Sequence, residues 1–279
     1  MSRITKDITP WFPPLEQRAM PRKFHPALWL KRHPLPINAF FRHSVVLTYA
    51  LPKSLLEPLL PPGLALDTFK DYGFVAIAMV DTQSLRPAFC PRAFGQDFFL
   101  VGYRIFARYK SAAGRTLRGL RILRSDTNRS LMVHFGNRLT HYNYHLAKVD
   151  FQIQNQRMEI RIQTPQAEAD LRLVADLGSR PAPLPDGSPF ADLHEARLFA
   201  GPLPFTFDYE QKTHSVVMIE GVRKDWRPQP IRVEVSENTF FQQPPFAGAK
   251  PILANAFHVE NIEYQWRRGV REALPKGVE

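Results

Sequence analysis

Cysteine is nearly missing from this chain: Cys90 is the only one in 279 residues. A lone thiol cannot close an internal disulfide or build a multi-cysteine metal site. Its scarcity fits a reducing compartment, so a cytoplasmic location is expected. Flanked by Phe89 and Pro91, Cys90 reads as a small packed residue and not as a nucleophile. Long apolar runs are missing too. No window approaches the ~20 residues that a membrane span requires, and the opening MSRITKDITPWFPPLEQRAM lacks the apolar stretch of a secretory signal. No transmembrane segment is expected. Without a glycine-rich phosphate loop or a GxSxG elbow, nucleotide binding and serine hydrolysis have no support. Zinc-finger spacing, RNA-binding signatures and zipper heptads are also absent, so no specific nucleic-acid partner is expected.

Acidic residues are in short supply. Asp and Glu total 26 against 37 Lys and Arg, a net charge of +11. Such a balance favours anionic company, whether a polyanion, an acidic membrane surface or a small acid, and is equally served by a basic solvated surface.

What the chain does have is proline at its start and β-pattern after it. Residues 1–37 carry TPWFPPL, MPRKFHP and KRHPLP, which forbid a long helix or a central strand. They read as a basic arm with a helical turn near Pro26–Lys31, its aromatics Trp11, Phe12, Phe24 and Trp29 laid on the body. From residue 38 the pattern is mainly strand. HSVVLTYAL, YGFVAIAMVDTQSL and DFFLVGYRIFARYK are β-branched and aromatic. PKSLLEPLLPPGL is a short helix stopped by proline and glycine. TLRGLRILRS should form a hairpin with the strand before it. Helix is predicted for SDTNRSLMVHFGNRL, with Asp126 as its cap and Leu131, Phe135 and Leu139 as one buried stripe. YHLAKVDFQIQ and RMEIRIQT alternate as strands around Asn155–Gln156, and the rest, including FADLHEARLFAG, reads as mostly short strands. One mainly β (α+β) domain over 38–270 is expected, with a tail over 271–279.

The stretch NRLTHYNYHLAKV concentrates candidate chemistry. If it is extended, Tyr144, Leu146 and Lys148 share one face. His145 can move a proton near neutral pH, and Tyr144 can donate to an oxyanion. The alternative is packing at a helix–strand junction. Arg104 interrupts an apolar strand. Turned inward, its guanidinium needs a carboxylate, either from a ligand or from an internal acid. Arg118, Arg121 and Arg124 read as a basic strand edge. His134, His141 and His145 lack a carboxylate at ligand spacing, so neither a metal nor an organic cofactor is expected.

LLPPGLALDTF, VGYRIF, the helix beginning DTNR, YHLAK and the run GPLPFTFDYEQ…RPQPIRVEVSENTFF stand in an order and spacing that resemble the YqjF-like domain of unknown function, within the acetoacetate decarboxylase-like superfamily. The resemblance spans about residues 38 to 268. It implies a twisted antiparallel sheet curled into a cone or barrel, with a few short helices. In the decarboxylases a lysine amine with a lowered pKa forms a Schiff base with a ketoacid, beside a second lysine and a pocket arginine. By this likeness Arg42 takes the arginine's place, Asp81 in AMVDTQSL matches the strand end, and Tyr144 and His145 stand where the lysine pair would be. The expected function is binding of a small organic acid or ketone. Arg42, Arg104 and Asp81 would hold it, and Tyr144, His145 and Lys148 would supply lyase-like chemistry. A non-catalytic binding module and an electrostatic binder of polyanion remain alternatives, and a homo-oligomer is open.

Overall fold

The computed structural model describes residues 26–275, except Arg180 and Pro202. The aromatics Trp11, Phe12 and Phe24 of the arm therefore lie outside the described residues. The helical turn of the arm is α1 (Pro26–Lys31), with Trp29 substantially exposed.

The chain then runs through β1 (Ile37–Pro52), α2 (Lys53–Leu56), β2 (Leu64–Leu66), β3 (Tyr72–Pro87), β4 (Gln96–Lys110) and β5 (Thr116–Thr127). Next come α3 (Ser130–Leu139), β6 (Tyr144–Leu146), β7 (Lys148–Gln154), β8 (Arg157–Gln163) and β9 (Leu171–Asp176). The last third holds α4 (Leu193–Ala200), β10 (Phe205–Glu210), β11 (Ser215–Arg223), β12 (Gln229–Pro230), β13 (Arg232–Asn238), β14 (Ile252–Trp266) and β15 (Val270–Ala273).

Seven of these strands close a ring in the order β14, β1, β3, β4, β5, β10, β11. The closing contact pairs Gly221–Arg223 of β11 with Tyr264–Trp266 of β14. All neighbours are antiparallel except β5 and β10. β15 continues the pairing beyond β11, so the segment read as a tail begins inside the sheet. A second sheet, ordered β13, β9, β8, β7, lies outside the ring.

Strand alternation sorts the ring's side chains into two sets. Val45, Leu47, Ile77, Met79, Val101, Tyr103 and Ile105 pack against Met158, Ile160, Ile162, Leu171 and Leu173 of the second sheet, forming the main core. The opposite set faces the barrel interior. At one end of that interior Phe69, Phe74, Phe106, Phe190 and Phe199 make a tight aromatic plug, with ring centroids 5.1–6.2 Å apart. Toward the other end the wall is Ala78, Val80, Phe98, Leu100, Ile122, Tyr142 and Tyr144.

Several sequence expectations need correction. Asp126 does not cap α3. It ends β5, fully buried, and accepts from Arg124 Nε at 2.8 Å; the N-cap is Arg129, which makes no side-chain cap bond. Leu131, Phe135 and Leu139 are 51%, 49% and 40% exposed, because their stripe faces an open cavity mouth instead of a packed neighbour. LHEARLFA is helix, begun by an Asp192 cap on Glu195 N–H. β5 is not an edge, since it sits between β4 and β10. Its arginines are consumed by ion pairs: Arg118 with Asp67, Arg121 with Asp208, and Arg124 with Asp126 and Glu168.

Candidate functional site: an arginine and tyrosine cluster inside the barrel

Arg104 lies on β4, opposite Ala76 of β3 and Ile122 of β5. Ala76 is small, and Gly102 is two residues back on the same face. A Cβ at Gly102 would sit 2.6 Å from Arg104 Nε and 2.7 Å from one terminal nitrogen. Glycine is required there so that the guanidinium can lie flat over the strand. The arginine is deep in the protein and only partly accessible. Its Nε is sealed and has no hydrogen-bond partner among the described residues.

The groups that surround Arg104 are unusual for a buried cation. Tyr264, Tyr142 and Tyr144 are its electrostatic neighbours, together with a second cation, Arg223. Arg223 stacks over Trp226 at 4.7 Å and over Tyr264 at 5.9 Å. Burial depresses the pKa of both arginines, and no acid among the described residues ion-pairs with either. The Tyr142 hydroxyl and the Trp226 indole nitrogen are likewise buried without a partner. Burial pushes Tyr144 up to about 12 and Tyr142 well above its ordinary value, so both keep their protons as donors at neutral pH.

Tyr144 is held from both sides. Asn137 of α3 donates to its carbonyl at 2.8 Å and accepts from its N–H at 2.7 Å. Ser125 of β5 is its parallel partner. Its ring occupies the space that a Cβ on Gly136 would fill. The glycine in the middle of α3 is thus explained by a tyrosine ring.

Tyr142 and Tyr144 form the inner wall of a cavity of about 350 Å³. Leu85, Phe98, Leu100, Met132 and Phe135 supply most of the rest, and Leu30 and Leu35 sit at its rim. Its lining is mostly apolar but includes His33, Arg86, Gln96 and Thr140; Arg104 is not on the lining and neighbours the tyrosines of its inner wall.

The other residues singled out in the sequence fall elsewhere. Arg42 is the extra residue of a β-bulge between Phe41 and His43, and it is exposed. A bulge re-aims the side chain that it carries. Asp81 lies across from His43 on the ring's outer face, its pKa raised by burial and partly restored by His43 and Arg42. His145 Nε2 is 3.2 Å from Asn143 Oδ1, and burial and then Arg124 lower its pKa. Lys148 is exposed on β7 opposite Gln163. The supposed continuous strand breaks at Ala147, which parts Tyr144 from Lys148. So Arg104 and Tyr144 come together, and Arg42, Asp81, His145 and Lys148 do not join them. Sequence reasoning missed Tyr142, Tyr264 and Arg223. The last two meet only through the β11–β14 closure.

His33 also borders the cavity and packs against Tyr142, with centroids 5.3 Å apart. Burial, then repulsion from His141, lowers its pKa to about 4. Between pH 6.5 and 4 the unfolded chain binds the proton that the folded imidazole refuses, so stability falls as pH drops. Relative to a His33→Gln variant, the parent should lose about 3 kcal/mol on going from pH 7 to pH 4. Urea midpoints at both pH values measure it; a constant difference would place His33 in solvent.

Solved structures share this architecture. Acetoacetate decarboxylase from Legionella pneumophila subsp. pneumophila str. Philadelphia 1 matches with a TM-score of 0.60 at 13% identity, covering 85% of this chain and 87% of that one. An acetoacetate decarboxylase-like enzyme from Sphingomonas wittichii RW1 gives 0.53 at 12%, covering 86% and 93%. The enduracididine biosynthesis enzyme MppR, complexed with the condensation product of pyruvate and imidazole 4-carboxaldehyde, gives 0.54 at 13%, covering 85% and 89%. The likeness is one of fold, that of acetoacetate decarboxylase. The chain belongs to DUF2071, a family described as an uncharacterized conserved protein, whose model matches residues 38–260. No curated protein matches the chain. No helix among the described residues is long and apolar enough to cross a membrane.

Proposed function

We propose that the protein binds a small organic acid with an apolar body, its carboxylate set against Arg104 inside the barrel. The observation that carries this reading is a buried guanidinium without a counter-ion, next to a second one, in a ring of tyrosine hydroxyls. An uncompensated buried charge is costly, and a carboxylate held by two parallel N–H bonds removes that cost. Tyr142 and Tyr144 would donate to the same carboxylate or to a neighbouring carbonyl. The leucine, phenylalanine and methionine wall would take the apolar part.

Chemistry by a lysine Schiff base has little support, because no lysine among the described residues lines the cavity. Of Tyr144, His145 and Lys148, only Tyr144 is on its wall, and polarisation of a carbonyl through that hydroxyl is the catalytic role the site could offer. Binding without turnover is the second reading, favoured by the same lack of an amine.

The test is calorimetric titration of the full chain with acetoacetate, phenylpyruvate, hexanoate and hexanamide. The two acids with larger apolar bodies should bind more tightly than acetoacetate, and the amide at least about 30-fold more weakly than hexanoate, since a charge-assisted hydrogen bond is worth roughly 2 kcal/mol. Borohydride added with phenylpyruvate should leave the protein mass unchanged. Equal binding of amide and acid, or no binding of any acid, would overturn the proposal; a trapped adduct would restore an amine mechanism.

A further inference from the structure

On the outer face of the ring, away from the cavity, two imidazoles and a carboxylate meet. His43 of β1 pairs directly with Glu260 of β14, and Val45 with His258. Directly opposed residues share a face, as do residues two apart on one strand, so His43, His258 and Glu260 project together. His43 Nδ1 is 3.2 Å from His258 Nε2 and 3.9 Å from Glu260 Oε2. One ligand atom from each of the three lies within 4.8 Å of the others. The rings stack at 23° with centroids 5.3 Å apart, and Phe151 of the second sheet abuts His43 at 5.9 Å.

We infer that His43, His258 and Glu260 form a site for a divalent transition-metal ion of the zinc type. Zinc–nitrogen bonds of about 2.0–2.1 Å in a tetrahedron place neighbouring donor atoms roughly 3.3 Å apart. The two ring nitrogens already stand at that separation. The carboxylate, 3.9 Å from His43 and within 4.8 Å of His258, has to move inward by roughly an ångström, and Glu260 is half exposed and able to turn. Two imidazole nitrogens and one carboxylate oxygen suit a borderline-soft ion better than calcium or magnesium, which take oxygen ligands. Coordination requires His43 to carry its proton on Nε2 and His258 on Nδ1. Three protein donors are present among the described residues, and water would complete a tetrahedron. His258 and Glu260 also line a polar recess of about 400 Å³ together with Asp225, Arg227, Gln229 and Asn261. Asp81, across from His43 on β3, adds negative potential beside the ion.

The sequence hides this site because His43 lies 215 residues from His258 and meets it only through the pairing of β1 with β14. It is independent of the cavity and does not rest on the acid-binding proposal.

Tag-free full-length protein, stripped of metal by dialysis against a chelator, is titrated with zinc ion in competition with a chromophoric chelator. One equivalent per chain should bind. Glu260→Gln and His258→Asn should each weaken binding by at least about 10-fold, because loss of a direct ligand costs no less than loss of an outer-shell partner. His134→Asn on α3 should leave the affinity at the parent value. Glu260 is exposed enough that its variant stays folded, so a misfolded His258 variant would not spoil the test. Absence of saturable binding at one equivalent, or parent affinity retained in Glu260→Gln, overturns the inference.

Discussion

Arg104→Met should make the ligand-free protein more stable while abolishing its affinity for organic acids. The two effects have one origin. In the parent, a guanidinium is held among Tyr142, Tyr144, Tyr264 and Arg223 with its Nε unbonded. Methionine is unbranched, of similar length and uncharged, so it fills the space and removes the stranded cation. Replacing buried charge by apolar side chains of like volume commonly raises stability by about 1–4 kcal/mol. The same change removes one of the two guanidinium groups able to form a bidentate pair with a carboxylate there, and affinity should drop at least about 30-fold. Urea midpoints give the first quantity and calorimetric titration with phenylpyruvate the second. A structural arginine would behave in the opposite way, with the variant losing stability and keeping its ligand. Arg104→Lys should recover charge but little affinity, since a point cation lacks the planar fork.

Asp67→Ala should cost about 3 kcal/mol, the lower end of the range for breaking a buried ion pair. Asp67 follows β2 and is fully buried. One carboxylate oxygen accepts from Arg108 Nε and the other from Arg118 Nε at 2.6 Å. Arg118 in turn donates to the Phe199 carbonyl at 2.8 Å and lies over that ring at 4.6 Å. One acid thus ties β2, β4, β5 and α4 together beside the aromatic plug. Both arginines are a third or more exposed and can retreat to water, which is why the lower end is expected. Chemical denaturation of parent and variant reads the difference. A change below about 1 kcal/mol would mean that this pair is worth no more than an ordinary surface bridge.

The long strands were legible because β-branched and aromatic residues crowd β1, β3 and β4, and that composition has few other uses. Arg104 was legible for the same reason, being the one charge inside an apolar run. Pairing between distant strands was not. Arg118, Arg121 and Arg124 looked like an exposed edge because nothing local announces that β10 docks alongside β5. The stripe on α3 was read as buried because periodicity reports an apolar face but not what covers it. Tyr144 and Lys148 were assigned to one face because Ala147 carries no sign of a break. The arginine of the pocket was placed at residue 42, where a bulge turns it outward. Arg223 and Tyr264, which neighbour Arg104, are united by a register between β11 and β14 that no local pattern announces.

That ring has a consequence for how the chain is made. Among the described residues β1 is the first long strand in chain order, and its partner on one side, β14, comes far later, with Ile37 set against Trp266. Contacts so distant in sequence form slowly. Until β14 is synthesised, β1 presents a naked flank of amide and carbonyl groups to every nascent neighbour. Chaperone demand during translation should therefore peak late, and a chain cut short near residue 250 should clump and not merely lose activity.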